Sequence, residues 1–146
     1  MATHPHIEQH PDLIALRARY AETSALPVTQ ATEGLTLLTG LYLAISPWVV
    51  GFNGDPLAVS NLVTGIALAV LAIGFGSAYE RTYGMGWVAM AIGIWAIIAP
   101  WAVQHASATT GTIVSNVVTG AVAVLLGLVT TGMAARGPRR AVTPAR

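Results

Sequence analysis

The sequence predicts an all-α membrane protein of four transmembrane helices, arranged as two tandem helical hairpins related by a parallel pseudo-two-fold repeat. Three observations predict it. Hydrophobic residues make up 54% of the 146 residues and charged residues only 9%, with a mean hydropathy of +0.64, whereas a soluble domain carries about 25% charged residues. Four stretches of near-spanning length hold no Asp, Glu, Lys or Arg. The arginines fall on alternate sides of those stretches.

The N-terminal segment, residues 1–33, holds Glu8, Asp12, Arg17, Arg19, Glu22 and Glu33 and no continuous apolar core. It therefore reads as a cytoplasmic tail and not as a signal peptide. Within it, Leu13, Leu16, Tyr20 and to a lesser degree Ile14 are spaced to share one helical face over residues 11–24. Two readings stand side by side: a short amphipathic helix on the membrane surface and a frayed tail. His4, His6 and His10 cluster there, spaced loosely enough to bind a metal weakly, and adventitious binding is favoured over a functional site.

A bilayer core of about 30 Å takes about 20 helical residues. The expected spans run over residues 34–52, 57–77, 86–103 and 112–135. Asn53-Gly54-Asp55-Pro56 is a turn by composition, since Asn and Gly tolerate positive φ and Pro fixes the exit. The connection at 78–85 carries Glu80 and Arg81, and that at 104–111 is polar and small. Connections this short make neighbouring helices antiparallel. Arg17 and Arg19 precede the first span, Arg81 lies between the second and third, and Arg136, Arg139, Arg140 and Arg146 follow the fourth. Basic residues stay on the cytoplasmic side, so both ends and the central loop share it. The expected location is the inner membrane of a bacterial cell.

The chain repeats itself. Gly40-Leu-Tyr42-Leu-Ala44-Ile-Ser46-Pro47-Trp48 is matched by Gly93-Ile-Trp95-Ala96-Ile-Ile-Ala99-Pro100-Trp101, at an offset of 53 residues. Ser60-Asn61-Leu-Val-Thr64-Gly65 is matched by Ser115-Asn116-Val-Val-Thr119-Gly120, at an offset of 55. Duplication of a two-helix unit explains the shared order. Because each unit crosses twice, both copies keep one orientation, related by an axis along the membrane normal. The chain then divides into the tail (1–33), a first hairpin (34–82), a second hairpin (83–135) and a basic cytoplasmic tail (136–146).

Ser46-Pro47-Trp48 and Ala99-Pro100-Trp101, each followed by Ser-Asn-x-x-Thr-Gly, resemble the SPW repeat family of bacterial integral membrane proteins. The resemblance covers about residues 34–130 and departs at Ala99, where the first copy has serine. It implies a membrane location and a repeated hairpin. It brings no catalytic residue, because the family carries no established activity.

The marked residues have structural readings. Pro47 frees the carbonyl of Leu43, and Pro100 that of Ala96. In hydrocarbon such a carbonyl needs a partner, and Asn61 and Asn116 are expected to bond it, or the loop backbone, across their hairpins. Ser60 and Ser115 share those roles or cap their helices. Trp48 and Trp101 are expected at the membrane interface, with cofactor stacking as the alternative. Tyr42 and Trp95 read as interhelical packing residues. Gly65 and Gly120 are expected to be points of close helix contact, among the small residues spaced four apart.

Enzymatic signatures are missing from the sequence. There is no cysteine, so no thiolate chemistry, and no GxSxG, Walker loop or HExxH. Asp55 and His105 stand alone in the two outer loops. The net charge of +1 and scattered arginines do not suggest a nucleic-acid partner. No catalytic, cofactor-binding or metal-binding residue is assigned. The expected partners are the lipid bilayer, a second copy or a larger membrane complex. The leading functional expectation is a non-enzymatic scaffold or accessory subunit. The alternatives are a transporter or channel for a small uncharged or lipophilic solute, and a lipid- or quinone-acting enzyme.

Overall fold

The computed structural model describes residues 10–77, 84–103 and 105–136. Among them there are five helices and no strand: α1 Pro11–Ser24, α2 Pro27–Val50, α3 Pro56–Ser77, α4 Gly86–Ala102 and α5 Thr110–Ala135. The turn carrying Glu80 and Arg81, the residues His4, His6 and Gln104, and the tail with Arg139, Arg140 and Arg146 lie outside the described residues.

Local chemistry explains the ends. The helices α1, α2 and α3 each begin on a proline, whose fixed φ suits the first helical position and whose missing N–H is no loss there. The end of α2 is set by Gly51, at φ 91°. In that left-handed conformation the Gly51 and Phe52 amides turn back onto the Pro47 carbonyl, at 3.1 and 2.8 Å, which closes the helix as glycine-terminated helices do. Asp55 caps α3, its Oδ1 accepting from the Leu57 amide at 2.9 Å. Thr109 caps α5, accepting from the Thr112 amide at 3.3 Å.

The boundaries correct one expectation. The first apolar helix begins at Pro27 and not near residue 34, so it contains Glu33. No breaker lies between Pro27 and Gly34, and one glycine is too weak to stop a helix. Three helices, α2, α3 and α5, are long and apolar enough to cross a membrane. With 17 residues, α4 spans about 26 Å.

The helices pack as two hairpins. α2 lies along α3 and α4 along α5, and the hairpins meet where α2 touches α5 and α3 touches α4. The exterior and interior are inverted relative to a water-soluble bundle. Buried positions hold Gly40, Ala44, Ser46, Asn61, Ala72, Ala89, Gly93, Asn116 and Thr119. Leu38, Ile45, Val63, Ile66, Val70, Ile94, Val118 and Leu125 all face outward. Outward aliphatics and a small, polar interior suit a lipid surround. Larger apolar side chains also pack inside, around Phe52, Leu57 and Ala99, around Leu68, and at Leu43 and Phe75.

Several interior threonines bond carbonyls of their own helices, while Thr29 reaches across to Met133 Sδ on α5 at 3.8 Å. Thr36 donates to the Thr32 carbonyl at 2.6 Å, and the repeat-equivalent Thr64 and Thr119 donate to the Ser60 and Ser115 carbonyls at 2.7 Å each. A hydroxyl bonded this way can sit in an apolar layer without the penalty of an unpaired group.

Candidate functional site

The polar centre of the molecule is built by the repeated motif. Pro47 has no N–H, so the Leu43 carbonyl four residues earlier loses its helical partner. Ser46, one residue before the proline, replaces it: its Oγ donates to the Leu43 carbonyl at 2.8 Å. Ser46 Oγ in turn accepts from Asn61 Nδ2 across the hairpin, at 3.1 Å. The second Asn61 N–H reaches Asn116 Oδ1 at 2.8 Å, and Asn116 Nδ2 returns a bond to Asn61 Oδ1 at 3.2 Å. Asn61 is 1% exposed and Asn116 0%.

The asparagines therefore bond each other and a hydroxyl, and not the proline-freed carbonyl expected from sequence. Ser46 is covalently close to Leu43 and bonds it at the loss of one rotor, which leaves the longer-reaching amide free to bridge the repeats. Asn116 has no counterpart of Ser46 beside it, because Ala99 stands at that repeat position. Pro47, Ala99 and Pro100 are buried, while Trp48 and Trp101 are 58% and 63% exposed.

Two further bonds tie the repeats. Tyr42 Oη pairs with Ser115 Oγ at 3.2 Å, and Trp95 Nε1 donates to Ser60 Oγ at 3.0 Å. Tyr42 and Trp95 are repeat equivalents, as are Ser115 and Ser60, so each bond maps onto the other when the halves are exchanged. Ser60 and Ser115 thus lie inside their helices and do not cap them. Tyr42 and Trp95 link helices through their polar atoms, while the side chains stay 39% and 40% exposed and are not buried packing residues.

The same exchange relates the glycines. A Cβ on Gly40 would lie 2.6 Å from the Ala69 amide nitrogen and 2.8 Å from the Gly65 carbonyl. One on Gly65 would lie 2.6 Å from the Gly40 carbonyl and would also meet the Ala44 nitrogen. In the second hairpin, Gly93 and Gly120 stand in the same relation, at 2.7 and 2.6 Å from each other's carbonyl. Only glycine permits this backbone approach, and the short separation is what brings Ser46 within reach of Asn61.

At one end of the bundle the α2–α3 and α4–α5 loops are tied by Asp55. Besides capping α3, it accepts from the Ser107 amide through Oδ2. A cleft of about 340 Å³ opens there, bordered by Gly51, Gly54, Asp55, Ser107 and Thr112. His105 sits in the second loop at φ 64°, exposed. At the other end, Glu33 stands at the position corresponding to Gly86 of the second repeat. Its Oε1 is buried and has no hydrogen-bond partner among the described residues, and Oε2 lies against Gly76.

A model of the SPW repeat domain matches residues 30–130, which takes in both asparagine hairpins and every contact described above. The chain belongs to the SPW repeat family. No curated protein matches it, and no solved structure does. In this chain the family's Pro-Trp signature marks the point where the helix gives up one backbone bond, and the following Ser-Asn pair supplies the bonds between SPW repeats.

Chemically, the SPW centre is a neutral network of two amides and a hydroxyl. Amides and hydroxyls of this kind neither ionise near neutral pH nor act as nucleophiles without a base. They can fix register, as a single buried Asn does in a coiled coil. Among the described residues no three His, Asp or Glu side chains converge on a metal position. Sequence reasoning missed the Tyr42–Ser115, Trp95–Ser60 and Asp55–Ser107 links. The first two were within reach, since both partners of each pair recur at the repeat offsets. The third joins loops of unequal length and leaves no repeat signal.

Proposed function

We propose that this SPW protein is a multi-pass protein of the bacterial inner membrane, acting as a non-enzymatic scaffold or accessory subunit. α4 completes a set of four spans: its 17 residues lie at the short end of what crosses a bilayer, and it packs along α5, which is long enough. The arginines put the N-terminus, the central connection and the C-terminus in the cytoplasm, with Asp55 and Ser107 on the opposite side.

One observation carries the reading. The polar side chains at the centre, Ser46, Asn61 and Asn116, are committed to holding the two hairpins together. What the molecule offers its surroundings is a continuous aliphatic exterior, suited to packing against a second copy or a larger membrane complex. Affinity purification from native membranes in mild detergent, followed by mass spectrometry of co-purifying proteins, tests it. A stoichiometric protein partner supports the scaffold reading. A strictly monomeric protein without crosslinked partners, in native lipid as well as in detergent, overturns it.

A second reading, transport of a small uncharged solute, draws on the position of the asparagine pair at the seam between parallel repeats, where repeat-built transporters place their sites. Solute flux in proteoliposomes that is lost in Asn61→Leu is its test.

A further inference from the structure

An open groove of about 420 Å³ runs along the α2–α5 seam, on the outward-facing side of the bundle. Leu38, Val118 and Val122 form its walls, Thr39 lies on its floor, and Tyr42 and Ser115 stand at one end. The walls are exposed aliphatics that continue the outer surface of both helices. Its volume lies in the range of small-molecule sites.

The polarity of the groove is graded along its length. Ser115 is five residues into α5, about 8 Å from the helix start. Val122 is seven residues deeper, about 10 Å further toward the middle of the bundle. The Thr39 hydroxyl is already bonded to the Leu35 carbonyl at 2.6 Å. Tyr42 and Ser115 differ: they hold two hydroxyl protons between them and share one bond, at 3.2 Å. Among the described residues neither bonds anything else, so one O–H remains to be donated at the mouth of the groove. An occupant that fits has a carbonyl oxygen at the level of Ser115, about 8 Å below the helix start, and an unbranched apolar tail running inward from it.

We propose that this groove holds one acyl chain of a glycerophospholipid, with the ester carbonyl accepting from the Tyr42–Ser115 hydroxyl pair. The grading selects this occupant. In a bilayer the ester lies at the hydrocarbon boundary and its chain points to the midplane, the same order as hydroxyl pair, Val118 and Val122. A second copy of the chain would present side chains at every level and no carbonyl able to leave its own helix. The proposal rests on the reading that α2 and α5 cross the bilayer, and it adds a specific lipid to that reading.

The test compares a diacyl phosphatidylglycerol with its diether analogue, which has the same chains but no carbonyl, by native mass spectrometry of the full chain released from mild detergent. One bound diester lipid is expected, retained about fivefold better than the diether, since one neutral hydrogen bond is involved. That preference is expected to vanish in the Tyr42→Phe, Ser115→Ala double variant. In Val118→Trp, which fills the groove but leaves the hydroxyls, binding of both lipids is expected to be lost. Equal retention of diester and diether overturns the carbonyl contact. Unchanged lipid content in Val118→Trp overturns the groove as the site, as does crosslinking of Val118→Cys to a second copy with no lipid bound. Failure of the membrane reading looks different: the chain would then remain in the aqueous fraction after detergent-free lysis, whereas failure of the lipid proposal leaves it membrane-embedded.

Discussion

Asn61 and Asn116, 55 residues apart in the chain, exchange two hydrogen bonds at the centre of the bundle and are each almost completely buried. Asn116 bonds only Asn61 among the described residues, whereas Asn61 also bonds Ser46, so removal of Asn61 orphans Asn116 and removal of Asn116 strips Asn61 of two of its three bonds. Asn61→Leu or Asn116→Leu alone is expected to lower stability by about 1–3 kcal/mol, the usual penalty for an unpaired buried polar group. The double substitution removes both members and is expected to cost less than the sum of the singles. A double-mutant cycle from unfolding in detergent measures the difference, and strict additivity would show that the pair is not coupled.

Gly65 is packed against the backbone of α2, at Gly40 and Ala44. Backbone cannot rotate aside as a side chain can, so Gly65→Ala must push the two helices apart. A loss of about 1–3 kcal/mol is expected, as for other overpacked sites. Gly132 has nothing within 4 Å of where its Cβ would go. Gly132→Ala is therefore expected to be neutral or to gain up to about 1 kcal/mol from helix propensity. Thermal unfolding of both variants checks the contrast, and equal behaviour would contradict the close-contact role of Gly65.

Asp55 serves two loops at once, capping α3 and holding the Ser107 amide. Asp55→Ala is expected to cost about 1–2 kcal/mol through the cap alone and to free the second loop. Hydrogen exchange at the Ser107 amide is expected to quicken in Asp55→Ala. Protection unchanged at that amide would mean the loop is held by something else.

The lack of cysteine makes the orientation directly measurable. With Asn53→Cys and Thr143→Cys introduced singly, a membrane-impermeant maleimide added to intact spheroplasts is expected to label position 53 and not 143. Labelling of 143 without permeabilisation would reverse the proposed orientation.

Much of this architecture is legible in the sequence because hydrophobic length and the repeat are long-range signals that need no knowledge of packing. The ends of α3, α4 and α5 fall within two residues of expectation for that reason. The start of α2 was harder to read, because Glu33 looks like a boundary by charge while the backbone around it stays helical. The repeat marked Asn61, Asn116, Gly65 and Gly120, yet it could not say what the asparagines bond. That depended on Ser46 reaching the Leu43 carbonyl first, a matter of side-chain reach that composition does not encode.

The bond between Asn61 and Asn116 joins a residue to its own duplicate, and amide to amide is a self-complementary match. A surface of that kind is fully specified by one hairpin, which could dock on a second identical hairpin through the same contacts. Joining two hairpins in one chain turns what would be a concentration-dependent dimer into an intramolecular assembly. Tethering also removes the need for exact symmetry: with serine at position 46 and alanine at position 99, one hydroxyl serves where a symmetric dimer would place two.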